Sequence, residues 1–206
     1  MRSSSRWPTN SGRFRSTARC SSRCDLSARE LNESRNDNEI SIRAATEADL
    51  VFIGEILNAE IEASPYIYAE TPVSLDERRE WLALHGAADL PIVVATEPDD
   101  DSRVLGWASL SMYRPSSGYR LTTEVSVYVA PSAQRRGIGR QLLARLCSEA
   151  RDRGKHAIVA SIDSENAPSI ALFAKEGFKE VGRLDDVGRK FSAWRTQLLF
   201  LRTLSP

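Results

Sequence analysis

The sequence reads as an α/β domain in which helices flank a mixed sheet. From Ile40 onward, short β-branched segments alternate with amphipathic helical ones, and capping or turn residues punctuate the boundaries. Both kinds of segment have the lengths usual in globular domains, and no repeat recurs along the chain.

Ile40-Ser41-Ile42-Arg43 alternates like a short strand, and Thr46-Glu47-Ala48-Asp49 is a helix-start signature. Leu50, Ile53, Ile56, Leu57 and Ile61 then fall at helical spacing. A second helix is expected after Pro72, capped by Ser74, with Leu75, Trp81 and Leu82 facing inward. Ile92–Ala95 reads as a strand, residues 98–102 as a hairpin turn, and Val104–Tyr113 as the next strand. Leu121–Val129 is β-branched and alternating, which suits a central strand. A helix follows from about Gly137 to Arg153, closed by Gly154. Ala157–Ile162 is a buried strand, Asn166 caps a helix with Pro168 in its first turn, and Gly177 ends it. Strands near Glu180–Val187 and Trp194–Leu204 complete the order.

Residues 1–39 differ. They carry serine runs, scattered arginines and few aliphatic side chains, a composition expected to stay disordered because it buries too little apolar surface to offset ordering. The domain is therefore expected to span 40–206. The 206 residues balance 28 basic against 28 acidic side chains, but the first 24 hold six Arg and no acid. The remainder is acidic, 22 against 28, which argues against nucleic acid as a partner. No apolar run is long enough for a membrane span. Three cysteines, Cys20, Cys24 and Cys147, make no disulfide framework or zinc site, so a reducing cytoplasm and no metal are expected.

The chemistry is concentrated between residues 124 and 140. A strand runs out into Gln134-Arg135-Arg136-Gly137-Ile138-Gly139-Arg140, where two glycines open a long helix. Unpaired N–H groups and the positive helix end favour an anion there, and the arginines add charge. The loop lacks the Lys-Ser/Thr ending of a P-loop, and no acid is placed for a ribose, so nucleotide hydrolysis and NAD chemistry fit poorly. Glu124, a carboxylate within a β-rich strand, is the candidate general base.

Gln134-Arg-Arg-Gly137-Ile-Gly139 resembles the Q/R-x-x-G-x-G/A signature of the GNAT superfamily of N-acetyltransferases. Gly106-Trp107-Ala108, Tyr113-Arg114-Pro115, Tyr119, Thr123-Glu124 with Ser126-Val127-Tyr128-Val129, Asp163-Ser-Glu165-Asn166 and Gly188-Arg189-Lys190-Phe191 look like phosphinothricin N-acetyltransferases in particular. The likeness runs from Ile40 to about Leu201. It implies a GNAT fold, with a mostly antiparallel sheet splayed at its central strand, and acetyl-CoA as co-substrate. It further implies that Val127, Tyr128 and Val129 contact the pantetheine arm, that Gln134 to Arg140 hold the pyrophosphate, and that Asn166 and Ser169 touch the cofactor.

By the same resemblance Tyr68, Arg114, Tyr119 and Lys190 line the acceptor pocket. The partner is a small amine of amino-acid type, such as phosphinothricin, methionine sulfone or methionine sulfoximine, and the enzyme is a cytoplasmic homodimer. The pattern breaks at Phe173, where relatives carry Tyr or His beside the departing sulfur, and at Trp194-Arg195-Thr196, where Trp-x-Asp is usual. Phe cannot donate a proton. The alternative reading is therefore a non-catalytic acyl-CoA sensor.

Overall fold

The structure, a computed structural model, describes residues 40–204; the proposed tail, with Cys20 and Cys24, lies outside the described residues. The strands are β1 (Ser41–Ala44), β2 (Ile92–Glu97), β3 (Asp100–Met112), β4 (Thr122–Val129), β5 (Ala157–Asp163), β6 (Lys179–Lys190) and β7 (Ala193–Thr203). The helices are α1 (Leu50–Ala63), α2 (Leu75–Ala87), α3 (Ile138–Asp152) and α4 (Ala167–Lys175). One seven-stranded sheet has the order β1-β2-β3-β4-β5-β7-β6. Every neighbouring pair is antiparallel except β4 and β5.

Local chemistry explains the boundaries. The Asp49 carboxylate accepts from the backbone N–H of Thr46 at 2.7 Å and from both ends of the Arg43 guanidinium at 2.8 Å, tying β1 to the start of α1. Ser74 and Glu77 exchange hydrogen bonds as a capping box at the start of α2. Leu75, expected to face inward, is 38% exposed: it sits at the first residue of the helix, lining an open cleft with Leu50, Val51 and Gly54 of α1. Gly154 ends α3 with φ +65°, a left-handed conformation that glycine adopts without steric cost.

Two apolar layers sandwich the sheet. On one face Leu142, Leu143, Leu146 and Ala150 of α3 pack with Val125, Ile158, Ile162, Phe173 and Phe200. On the other, Leu50, Ile53, Leu57 and Ile61 of α1 pack with Val94, Val104 and Trp107. Period-two alternation makes the split: Val125 joins the α3 layer, while Tyr128 faces the α1 layer and stacks on Trp107, centroids 4.5 Å apart.

The sheet is not paired evenly. β3 and β4 stay in register from Met112↔Thr123 to Gly106↔Val129. β4 and β5 pair only at Thr122↔Ala157, Thr123↔Ile158 and Glu124↔Val159. Beyond Glu124 they part, while β5 continues beside β7 to Asp163.

Candidate active site

The parting of β4 from β5 leaves main-chain groups without a strand partner. Ala130 N–H donates to Leu105 O at 2.9 Å, so each second pair along the antiparallel ladder is the hydrogen-bonded kind: Tyr128 with Trp107, Ser126 with Ser109, Glu124 with Ser111. The N–H and C=O groups of Val127 and Val129 therefore point away from β3, into the gap. Tyr128, expected to share the cofactor contact, directs its main chain to β3 instead. Its side chain lies on the α1 face, where burial first and the Glu60 and Glu124 carboxylates next push the phenol up to about 12.

An anion cradle closes the end of the gap. α3 has no side-chain cap: its N-cap is Gly137, at φ +78°, and the first main-chain bond of the helix runs from Gln141 N–H to Gly137 O. The N–H groups of Ile138, Gly139 and Arg140 are thus the open end of a 15-residue helix. Arg135, two residues before Gly137, also has positive φ (+64°), so the chain curls its N–H groups toward one side. Such a nest suits an anion. A side chain on Gly137 would meet nothing within 4 Å, and that open space adjoins the uncapped turn. Gly139 packs closely instead: a Cβ there would lie 3.3 Å from Leu172 of α4. These features fit a pyrophosphate.

The arginines of this loop divide their work. Arg136 forms a two-pronged ion pair with Glu97, 2.7 and 3.0 Å, and Arg140 pairs with Glu176 at 2.9 Å, so both guanidinium groups brace the loop against β2 and α4. Gln134 and Arg135 are exposed, and Arg135 has no ion-pair partner among the described residues. Asn166 caps α4 by accepting from Ser169 N–H at 3.2 Å, which leaves its amide N–H groups free.

Glu124 projects from β4 on the face opposite Val125, at the last residue before the strands part. It is half-buried, and its Oε1 accepts from Ser161 Oγ of β5 at 2.8 Å. A carboxylate at the mouth of a gap, with its second oxygen uncommitted, can take a proton from an amine placed there.

A scan against family descriptions matches residues 55–178 to the acetyltransferase (GNAT) family. The chain belongs to the GNAT acetyltransferases. It is 40% identical over 155 residues to an L-amino acid N-acyltransferase (MnaT) of Escherichia coli, covering 75% of this chain and 88% of that one. It is equally identical over 166 residues to an L-methionine sulfoximine/L-methionine sulfone acetyltransferase of Pseudomonas paraeruginosa, covering 81% and 95%. Among solved structures, a GNAT superfamily phosphinothricin acetyltransferase from Sinorhizobium meliloti in complex with acetyl-CoA superposes with a TM-score of 0.77 at 31% identity, covering 80% of this chain and 88% of that one.

The acceptor residues expected for a GNAT enzyme of this kind do not converge on one pocket. Arg114 lies over the rings of Tyr113 and Tyr119, 5.2 and 5.8 Å from their centroids, beside a cleft lined by Met112, Thr123 and Lys155. Tyr68 sits toward the opposite end of β5, donating to Asp163 Oδ2 at 3.0 Å. Burial, then the bond and charge of Asp163, push its phenol up to about 12. Glu124 lies between these two groups along the strand. Lys190, expected at the pocket, is 2% exposed, and its ammonium donates to the carbonyl oxygens of Ile61 and Ala69. It clamps β6 to the end of α1 because two unpaired carbonyls there need a donor.

Two participants escaped the sequence. Ser161 is the polar interruption in the apolar run Ala157–Ile162, a signal that could have marked it. Arg195 forks onto Asp163 at 2.9 and 2.7 Å and reaches Glu165 at 2.9 Å, holding the loop that carries Asn166. Phe173 is buried, edge-to-face against Phe178 at 5.0 Å, so its ring belongs to the α3 layer.

Proposed function

We propose that this GNAT enzyme acetylates the primary amine of a small amino-acid-like molecule of the phosphinothricin, methionine sulfone and methionine sulfoximine type. The observation that carries the reading is the gap between β4 and β5, with main-chain groups of Val127 and Val129 turned into it, the uncapped α3 at its end and Glu124 at its mouth. Similarity to enzymes named for those substrates supports the acceptor class.

In this reading the gap holds the amide-containing arm of acetyl-CoA through Val127 and Val129, as an added strand would be held. The nest from Gln134 to Arg140 receives the pyrophosphate, and Asn166 and Ser169 line the far wall. Bound acetyl-CoA supplies an activated acyl group and a thiolate leaving group. Glu124 takes the proton that the amine must shed, directly or through water. Arg114, beside Tyr113 and Tyr119, offers a guanidinium to the carboxylate or phosphinate of the acceptor, and Tyr68 borders the other end. The protein works as a cytoplasmic homodimer, and a chain that masks the amine of phosphinothricin would confer resistance to it.

The test is thiol release from acetyl-CoA with phosphinothricin, methionine sulfone and methionine sulfoximine, read against a panel of ordinary amino acids and polyamines. Turnover confined to the first three supports the reading. Binding of acetyl-CoA by calorimetry with no turnover of any amine would replace the enzyme with a sensor.

A further inference from the structure

The reaction as read above assigns a base and no acid. Phe173 has no exchangeable proton and is 5% exposed within the core, so it cannot serve. Tyr68 is committed to Asp163, four residues beyond the level of Glu124 along β5. Of the hydroxyls beside the gap, Ser161 is the one bonded to Glu124. Ser161 lies two residues past the last β4–β5 pair, is exposed, and donates to Glu124 Oε1 at 2.8 Å. It is the only side chain hydrogen-bonded to that carboxylate among the described residues.

We propose that Ser161 is the proton donor to the departing thiolate, recharged by Glu124. The inference rests on Glu124 acting as the base. Acetylation of an ammonium ion removes two N–H protons: Glu124 takes the first on one oxygen, which frees the amine for attack, and the second passes to solvent as the amide forms. As the N–C bond forms, the thioester C–S bond breaks and its electron pair leaves on sulfur. The Ser161 hydroxyl, which donates to Glu124 Oε1 at rest, turns toward sulfur. As it passes its own proton there, its oxygen receives the proton held by Glu124. Both side chains finish as they began, with one amine proton on the thiol.

A serine alone would be a poor acid. The relay makes the true donor a carboxylic acid and the acceptor a thiolate, so the proton ends on the stronger base. The short bond already present between Ser161 and Glu124 supplies the path without rearrangement of either strand.

The test compares Ser161→Ala, Ser161→Thr, Glu124→Gln and the Ser161→Ala/Glu124→Gln double variant. The acceptor is whichever of the three sulfur or phosphorus amino acids turns over fastest. Ser161→Ala should lower turnover about tenfold, below the usual 10²–10⁴-fold of acid–base effects because a thiolate is a tolerable leaving group. Affinity for acetyl-CoA by calorimetry should stay unchanged, and Ser161→Thr, which keeps a hydroxyl, should restore most of the rate. In the Glu124→Gln background the serine change should cost nothing further. A readout independent of turnover is the infrared carboxylate band of Glu124, identified by its loss in Glu124→Gln, which should move in Ser161→Ala. Wild-type turnover in Ser161→Ala overturns the relay, and so does a loss of equal size in both backgrounds. Wild-type turnover in Glu124→Gln would instead overturn the base assignment on which the relay stands.

Discussion

Glu124 shows how far one residue can be read before its surroundings are known. A carboxylate in a β-rich segment is uncommon enough to mark a site, and the structure sets it at the last paired residue of β4, half-buried and bonded to Ser161. Replacing it with glutamine keeps size and hydrogen bonding but removes the proton acceptor. Turnover should fall about 10²–10⁴-fold while acetyl-CoA affinity persists. The loss should shrink at high pH, where the free amine needs no base. Wild-type rates for Glu124→Gln across the pH profile would remove it from the mechanism. Lys190 shows the opposite case. The family resemblance marked it for substrate, yet its ammonium serves Ile61 and Ala69 carbonyls more than a hundred residues away in sequence. Local pattern gives a side chain's chemistry; what it points at depends on contacts between distant segments.

At the scale of elements, the start of α3 was legible because its signals are local. Two glycines, a preceding strand and no capping side chain specify an open helix end, and the structure has it. The partners of its arginines were not legible, since Glu97 and Glu176 come from β2 and the end of α4. The two glycines, equivalent in the motif, have different tasks. Gly137→Ala forces a Cβ into left-handed φ and into the open space beside the N–H groups. It should cost about 1–2 kcal/mol of stability and weaken acetyl-CoA binding as well. Gly139→Val would press on Leu172 of α4, so it should lower the melting temperature more than Gly137→Ala does. Calorimetry and thermal unfolding of the two variants separate these effects. Wild-type affinity in Gly137→Ala would show that no anion approaches that loop.

On the scale of the whole molecule, the gap that makes the site also weakens the sheet, because only three residue pairs join its halves at β4 and β5. Periodicity does not mark where the strands part, since Val125–Val129 alternates like any strand; the splay at the central strand was legible only through the family resemblance. Compensation comes from the α3 layer, which spans both halves, and from ties on the opposite face. The Tyr68 hydroxyl, from the segment between α1 and α2, reaches Asp163 on β5, and its ring covers Gly188, where a Cβ would lie 2.4 Å away. Asp163 is the centre of these ties. Burial pushes its carboxyl up, but the Arg195 fork, the Glu165 N–H and the Tyr68 hydroxyl outweigh burial and hold it below the usual range. A carboxylate depressed in the folded state adds stability above its unfolded value of about 3.9, and that stability is lost as pH falls through the lower folded value. Asp163→Asn removes the acid-sensitive contribution and leaves the buried Arg195 guanidinium with Glu165 as its one carboxylate among the described residues. At neutral pH it should cost about 3–5 kcal/mol, lowering the melting temperature by roughly 10 °C. Because the variant has already lost this contribution, the gap between the two melting temperatures should narrow as pH falls below about 4. Thermal unfolding of both proteins from neutral to acid pH measures it, and a gap that stays constant over that range would mean that Asp163 does not report its protonation to the fold.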